Sequence, residues 1–375
     1  MKKFLIIIVC LAVITVTLTT LTGTNYIYKA LRYLTADIDD YKIFDNNTVT
    51  IGVTQPIPNS SLYKKIEIPN EINAELEKIN SVAFLVLKND SVVIEKYWNG
   101  YSDSSYSNSF SMAKTIVGLL TACALQDGLI DSLDQHAGDF IPEMKEGHFY
   151  KITIRSLLTM SSGTSWDESY GSPFSTTTEA YYGTDLYKTA TSGLKCKQRP
   201  GTEWRYKSGD TQLLGLVLEK ATGKSLSAYA SEKIWKPIGA EHAALWSTDK
   251  EGGNEKAYCC FNSNARDFSR IGTLLLHKGN WNGKQLIDSA LIELFTSPLS
   301  MKDDENETAN YYGYQLWLLP DRPGVFYCRG ILGQYIIVIP QKNVVIVRLG
   351  EKRGEIKAHS FEEVYTLVDW ALKDL

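Results

Sequence analysis

Two side chains three positions apart, Ser111 and Lys114, have the types and spacing for nucleophilic chemistry. They open the run SMAKTIVGLLTACAL (residues 111–125), whose apolar composition predicts a buried helix that ends near Gly128. Positions i and i+3 share a helical face, so both side chains would point the same way. A serine hydroxyl becomes a nucleophile when a base takes its proton, and a buried lysine with a lowered pKa can be that base. The helix N-terminus would supply free N–H groups for an oxyanion.

A second pair, Tyr206 and Ser208, lies in the turn-rich stretch PGTEWRYKSGD (residues 200–210). A phenol near a cation ionises more easily, so Tyr206 is a candidate second proton carrier, and Ser208 could orient Lys114. Each short motif also has an ordinary explanation. A Ser-x-x-Lys can be a helix-start serine with a solvated lysine, and Tyr206 is one of 22 tyrosines.

Taken in order, Ser-x-x-Lys, Tyr-x-Ser and a late glycine-bearing strand resemble the serine β-lactamase and penicillin-binding-protein superfamily. The segments KITIRSLLTMSSG (residues 151–163) and NARDFSRIG (residues 264–272) are similar to motifs of its class C β-lactamase-related branch. That branch includes esterases, D-aminopeptidases and nylon-oligomer hydrolases. The resemblance covers roughly residues 75–370. It implies catalytic roles for Ser111, Lys114 and Tyr206.

The third motif of that superfamily, Lys-Thr-Gly on a strand, is altered in this chain. In one alignment CRG (residues 328–330) replaces it, which places the Ile331 amide opposite Ser111 as the second oxyanion donor. In the other alignment LGQ (residues 332–334) fills the place. The first is preferred, because nylon-oligomer hydrolases similarly carry Gly-Ile before a Gly-Gln step. Arg329 would then offer a cation to the substrate, or face away in a surface ion pair.

The loop SGTSWDESYGSP (residues 162–173) follows the SLLTMSSG motif. In nylon-oligomer hydrolases a similar loop carries a tyrosine that closes on the bound amide, so the resemblance implies substrate binding by Tyr170. The alternative is a packed surface aromatic. Asp167 and Glu168 could recognise a substrate amine, or they could simply be solvated.

The composition excludes several other function classes. A net charge of −4 offers no basic face for nucleic acid. The five histidines are scattered without metal-ligand spacing, and no glycine-rich phosphate loop follows a strand, so neither metal nor cofactor is expected. The spacing of the six cysteines suggests no disulfide framework. Most are therefore expected to be free thiols, and the adjacent Cys259 and Cys260 cannot easily both reach separate partners.

The N-terminal segment has features of a targeting sequence. Lys2 and Lys3 precede the apolar residues 4–21, whose length lies between a signal peptide and a spanning helix. No A-x-A cleavage site follows, and no lipobox surrounds Cys10. We predict that residues 1–21 are a membrane anchor with a cytoplasmic N-terminus, which places the catalytic domain outside the cytoplasm. The alternative is a cleaved signal and a secreted or periplasmic protein.

The remaining chain divides into a connector and one domain. Residues 22–75, rich in Asn, Asp, Thr and Pro, read as an extended connector, and residues 76–375 as the hydrolase domain. The pattern predicts an α+β fold: an antiparallel sheet built from N- and C-terminal strands and flanked by helices, with an inserted mainly helical subdomain. The resemblance implies the same β-lactamase/transpeptidase-like fold, with the site between its lobes. The predicted strands are 81–87, 91–97, 334–340 and 343–349, and the closing helix is 360–375.

These observations predict a serine hydrolase that cleaves a small-molecule or peptide ester or amide through an acyl-enzyme on Ser111. Ser208 stands where many β-lactamases have Asn, which together with the altered third motif weakens the case for β-lactam hydrolysis. Two alternatives remain. One is a catalytically weak binding or sensor protein of the same fold, and the other is a cell-wall D-amino peptidase.

Overall fold

The computed structural model describes residues 2–375, apart from the side chains of Ile8, Val9, Leu11 and Ala12. The α-helices are Lys2–Thr22 (α1), Tyr26–Tyr33 (α2), Asn70–Lys78 (α3), Met112–Gln126 (α4), Ile154–Leu158 (α5), Thr176–Tyr182 (α6), Leu186–Thr191 (α7), Ser208–Thr222 (α8), Leu226–Ala230 (α9), Ala265–Leu276 (α10), Ser289–Phe295 (α11) and Glu362–Asp374 (α12). The strands are Asn46–Val49 (β1), Ser81–Lys88 (β2), Ser91–Tyr97 (β3), Ser107–Asn108 (β4), Glu203–Trp204 (β5), Ala244–Ser247 (β6), Phe261–Ser263 (β7), Asn280–Trp281 (β8), Lys284–Gln285 (β9), Lys302–Asp303 (β10), Trp317–Leu318 (β11), Phe326–Gly330 (β12), Gln334–Ile339 (β13), Val344–Gly350 (β14), Ile356–Lys357 (β15) and Ser360–Phe361 (β16).

The main sheet joins the two ends of the catalytic domain. Its order is β11-β12-β13-β14-β2-β3, with every neighbouring pair antiparallel. The central contact pairs Leu87 of β2 with Val345 of β14. The predicted α+β class and antiparallel sheet are therefore confirmed.

Helices cover both faces of this sheet, which explains why its central strands are apolar throughout instead of alternating. Helix α10 packs against Ile336 and Val345 on one face. On the other face, Phe84 of β2 contacts Trp370 of α12, with ring centroids 6.3 Å apart. Strands β13 and β14 are buried along their whole length as a result.

Residues 22–75 differ from the predicted extended connector, because they contain helices α2 and α3 and strand β1. Strand β1 adds to a second antiparallel sheet of order β1-β6-β7-β4. In α2, Tyr26 and Ala30 lie one helical turn apart and form a buried stripe. Because residues 22–75 are polar in composition, this short apolar stripe was too weak a pattern to predict the helix from the sequence.

Helix α1 occupies most of the predicted anchor, and Met1 lies outside the described residues. Across residues 2–375, no helix is sufficiently long and apolar to cross a membrane. The predicted anchor and the location outside the cytoplasm stay predictions.

The cysteines follow the expectation in four cases and depart from it in one pair. Cys259 and Cys260 form a disulfide with each other. The spacing argument had considered only separate partners for these neighbours and did not foresee a bond between them, although the expectation that most cysteines are free thiols is confirmed. The remaining cysteines are free thiols: Cys10, Cys123, Cys196 and Cys328.

Gly272 lies on the face of α10 that packs against the sheet, where a methyl group has no room. An added Cβ would lie 2.5 Å from Val345 Cγ1 and 2.8 Å from Ile336 Cγ2. We expect Gly272→Ala to lower the free energy of unfolding by about 1 to 3 kcal/mol, measured by urea denaturation, because overpacking outweighs the gain in helix propensity. Gly171→Ala is the control, since no atom lies within 4 Å of its added Cβ. Equal effects of the two substitutions would contradict the close helix–sheet contact.

Candidate active site

Ser111 stands at the start of α4, the helix that runs through the middle of the core. Residues 112–124 of this helix are all buried. Phe110, just before the serine, has a positive φ of 43°, and its N–H donates to Asn108 Oδ1 at 2.9 Å. The tight turn and the buried helix therefore hold Ser111 in a fixed place at the helix N-terminus.

Lys114 is turned inward beside Ser111 and is only 2% exposed. Its Nζ donates to three oxygens: Ser111 Oγ at 3.1 Å, Ser208 Oγ at 3.1 Å and the Tyr258 carbonyl at 2.8 Å. Burial lowers the pKa of Lys114 to about 8, although the negative charge of Glu168 acts to raise it. A neutral amine is thus accessible near physiological pH, within reach of the Ser111 hydroxyl.

Tyr206 is half-buried next to this pair, with its ring centroid 5.1 Å from Lys114 Nζ. Burial, followed by the charge of Glu168, raises the pKa of Tyr206, while a hydrogen bond with Ser111 and the charge of Arg329 act in the other direction. The expectation that a nearby cation would make this phenol easier to ionise is therefore wrong. Burial prevails because it removes the phenolate from water, and the phenol keeps its proton.

Glu168 connects the loop after α5 to the lysine. Its Oε2 accepts from the Ser208 N–H at 2.6 Å, and its Oε1 accepts from the Ser208 hydroxyl at 2.7 Å. The Ser208 hydroxyl uses its single proton on this carboxylate, so it presents lone pairs to Lys114. A continuous chain of hydrogen bonds therefore runs from Glu168 through Ser208 and Lys114 to Ser111.

Sequence reasoning offered only solvent or a substrate amine as partners for Glu168. No local pattern links it to Ser208, which lies 40 residues away. The sequence offered one weak signal: Glu168 lies two positions before Tyr170, the candidate substrate-binding residue of the same loop.

Tyr170 lies at the mouth of the site. Although 55% of its surface is exposed, its hydroxyl donates to Glu168 Oε1 at 2.6 Å. Burial of the hydroxyl, and then the charge of Glu168, hold the pKa of Tyr170 well above its usual value. Tyr170 therefore differs from a packed surface aromatic, because its polar end belongs to the hydrogen-bond chain.

Arg329 does not form the expected surface ion pair, and its role as a cation for the substrate stays a prediction. Its Cζ lies 3.2 Å from the centroid of the Trp317 ring, and its Nη1 donates to the His359 carbonyl at 3.1 Å. No carboxylate within residues 2–375 forms an ion pair with it. The stacked guanidinium still acts on the site, since its charge lowers the pKa of Tyr170 against the larger effect of burial.

Strand β12 ends directly against the chain that leads into Ser111. A Cβ added at Gly330 would lie 2.3 Å from the Ser109 carbonyl oxygen, so only glycine fits this contact. Ile331, the next residue, lines the same cavity as Ser111. This packing favours the alignment in which residues 328–330 replace the third motif.

A buried ion pair fixes the start of α8 beside Tyr206 and Ser208. Lys207 Nζ lies 3.9 Å from Asp210 Oδ1, and both side chains are buried. Ser162 joins them, because its hydroxyl accepts from Lys207 at 3.1 Å and donates to Asp210 at 2.5 Å. The loop after α5 and the start of α8 are thereby held together, although sequence reasoning assigned no role to this pair.

Along the described part of the chain, no group of three or more His, Cys, Asp or Glu side chains is placed to hold a metal ion. The polar contacts instead converge on one serine and one lysine. The antiparallel sheet with its flanking helices, and the Ser111–Lys114 contact at the start of α4, are the features expected of the β-lactamase fold.

Residues 70–367 match the family model described as Beta-lactamase, so the chain belongs to the beta-lactamase family. The superfamily predicted from the sequence motifs is therefore confirmed. The 6-aminohexanoate-dimer hydrolase of Paenarthrobacter ureafaciens is 25% identical over 299 residues, which is 74% of each chain.

Two solved structures share the fold. A candidate 6-aminohexanoate-dimer hydrolase from Bacillus anthracis has a TM-score of 0.71 and 24% identity, over 90% of this chain and 92% of that one. A family VIII carboxylesterase has a TM-score of 0.65 and 15% identity, over 86% and 99% of the two chains. At these identities the likeness shows the fold alone.

The charge of Glu168 acts on Lys114, so its removal should change how the lysine titrates. We expect Glu168→Gln to lower the pKa of Lys114 below the value of about 8, because the ammonium loses a favourable negative charge. NMR titration of isotopically labelled lysine measures this. Asp167→Asn is the control, since the exposed Asp167 carboxylate accepts instead from the Ser169 N–H. Equal Lys114 titration in both variants would exclude the proposed coupling.

Proposed function

We propose that this protein is a serine hydrolase that cleaves an ester or amide through an acyl-enzyme on Ser111. One observation carries the proposal: Lys114 Nζ lies 3.1 Å from Ser111 Oγ in a buried setting that lowers the lysine pKa to about 8. An ordinary exposed lysine would be almost fully charged at neutral pH and a poor base. The names of the relatives, an amide hydrolase and a carboxylesterase, support the same reaction class.

In the acylation step, Ser111 Oγ attacks the carbonyl carbon and its proton passes to neutral Lys114. The amides of Ser111 and Ile331 donate to the oxyanion, a contribution of about 3 kcal/mol for each donor in related chemistry. Tyr206, which holds its proton, delivers it to the leaving oxygen or nitrogen as the bond to the carbonyl carbon breaks. The Lys114 proton then restores the phenol.

Deacylation repeats this path with water. A water molecule loses its proton to the same base and attacks the acyl-enzyme, and the acid is released as Ser111 regains its proton. Ser208 and Glu168 neither accept nor deliver a proton in this scheme. They position Lys114 and set its charge through the hydrogen-bond chain described above.

The proposal is tested by hydrolysis of a p-nitrophenyl ester panel with the full-length protein. We expect Ser111→Ala to reduce turnover by about a thousandfold or more, because the nucleophile is lost. Ser104→Ala, at an exposed loop position, should retain full turnover. We expect little hydrolysis of nitrocefin, since the third motif is altered. Ester turnover that persists in Ser111→Ala would refute the mechanism.

The same assay separates the alternatives. If no ester is turned over, failure of a fluorophosphonate to label Ser111 would favour the weak binding or sensor protein, whereas labelling would indicate a hydrolase with a more particular substrate. Preferential acylation by a labelled D-Ala-D-Ala peptide would favour the cell-wall D-amino peptidase.

The pH dependence tests the base directly. The kcat/KM for an uncharged ester should rise with pH, with a midpoint near 8, because Lys114 acts as a base only after it loses its proton. Lys114→Arg keeps the positive charge but cannot give up its proton, so we expect a loss of about a hundredfold to ten-thousandfold. Circular dichroism checks that the variant folds. A profile that stays flat between pH 6 and pH 9 would contradict this assignment.

A further inference from the structure

A cavity of about 520 Å³ extends from Ser111 to the N-terminal segment of the chain. At its inner end lie Ser111, Ser208 and Ile331, which belong to the site described above. Its outer wall comes from α2 and the residues that follow, a part of the chain outside the match to the family model. The cavity therefore joins the proposed catalytic serine to a segment that lies outside the family match.

Helix α2 is firmly attached to the wall of the cavity. Tyr26 and Ala30 are buried, and the Tyr33 ring stacks on Tyr182 of α6, with centroids 6.3 Å apart and nearly parallel planes. Leu31 and Leu34 line the cavity instead, and they are 58% and 78% exposed. Two large apolar side chains thus face an open space beside the nucleophile, where an apolar ligand would cover them.

The lining of the cavity is apolar apart from hydroxyl groups and one cation. Among its described lining residues, Arg353 is the only charged one. A ligand chain that ends in an ammonium would meet no carboxylate there, and it would lose hydration without compensation. The lining consequently suits an uncharged hydrocarbon chain.

The position of the cavity relative to Tyr206 indicates which half of the substrate it would hold. Tyr206, which protonates the leaving group in the proposed function, does not belong to the described lining of this cavity. The leaving group departs on the Tyr206 side, so the cavity is left for the acyl half of the substrate. Ser111 at its inner end is where the acyl chain becomes attached.

We propose that this cavity binds an uncharged, medium-length acyl chain, and that Leu31 and Leu34 set the preference for chain length. The inference rests on the proposed function and names the substrate class of that same site. Each methylene that becomes buried improves binding by about threefold to fourfold, so the preference should be steep between short and medium chains.

The test compares p-nitrophenyl acetate, hexanoate and octanoate with the full-length protein. We expect kcat/KM to rise at least tenfold from acetate to octanoate. A double variant, Leu31→Ser with Leu34→Ser, should reduce the octanoate-to-acetate ratio by about tenfold. Leu62→Ser is the matched control, because this leucine is 47% exposed and does not belong to the described lining of the cavity. Its ratio should equal that of the wild type.

A charged analogue completes the experiment. The p-nitrophenyl ester of 6-aminohexanoate should react at least tenfold more slowly than the hexanoate ester, because its ammonium has no partner in the cavity. A flat chain-length profile, equal rates for these two esters, or a ratio unchanged in the double variant would overturn the inference. These outcomes differ from failure of the proposed function, which would appear as ester hydrolysis that survives Ser111→Ala.

Discussion

The withdrawal of Lys114 from water is the constraint on which the rest of the site depends. An ammonium loses a large hydration energy on burial, and the protein compensates with three oxygen acceptors around Nζ. This compensation is sufficient to keep the side chain inside and insufficient to restore the ordinary pKa. Helix α4 makes it possible, because it is buried along nearly its whole length and carries the lysine into the core beside Ser111.

The same burial shifts the pKa values of Lys114 and Tyr206 in opposite directions. In water a lysine and a tyrosine lose their protons at nearly the same pH. Burial lowers the pKa of Lys114 and raises that of Tyr206, since it disfavours an ammonium in one case and a phenolate in the other. In the proposed mechanism, this separation of the two pKa values suits Lys114 to act as the base and Tyr206 as the acid. Glu168 opposes the first shift and adds to the second, so this carboxylate adjusts the balance between the two groups.

Sequence reasoning succeeded where a contact or a strand depends on local sequence pattern. The i, i+3 relation brought Ser111 and Lys114 onto one helical face, and the predicted strands 81–87, 334–340 and 343–349 closely match the central strands of the main sheet. It was less successful where a role depends on contacts between distant loops. Glu168 reaches Ser208 across 40 residues, and Arg329 stacks on Trp317 through a strand pairing that no local pattern encodes. The direction in which the pKa of Tyr206 shifts depends on burial, which a sequence motif does not reveal.

The pairing of β2 with β14 has a consequence for when activity can arise. Ser111 and Lys114 are synthesised early, but the strand end that abuts the serine and the amide of Ile331 belong to the last part of the chain. In the proposed mechanism, a growing or C-terminally clipped polypeptide therefore carries the Ser111 nucleophile without Ile331, whose amide is the second oxyanion donor. The complete oxyanion site forms only after strand β12 has been made and has packed against Ser109.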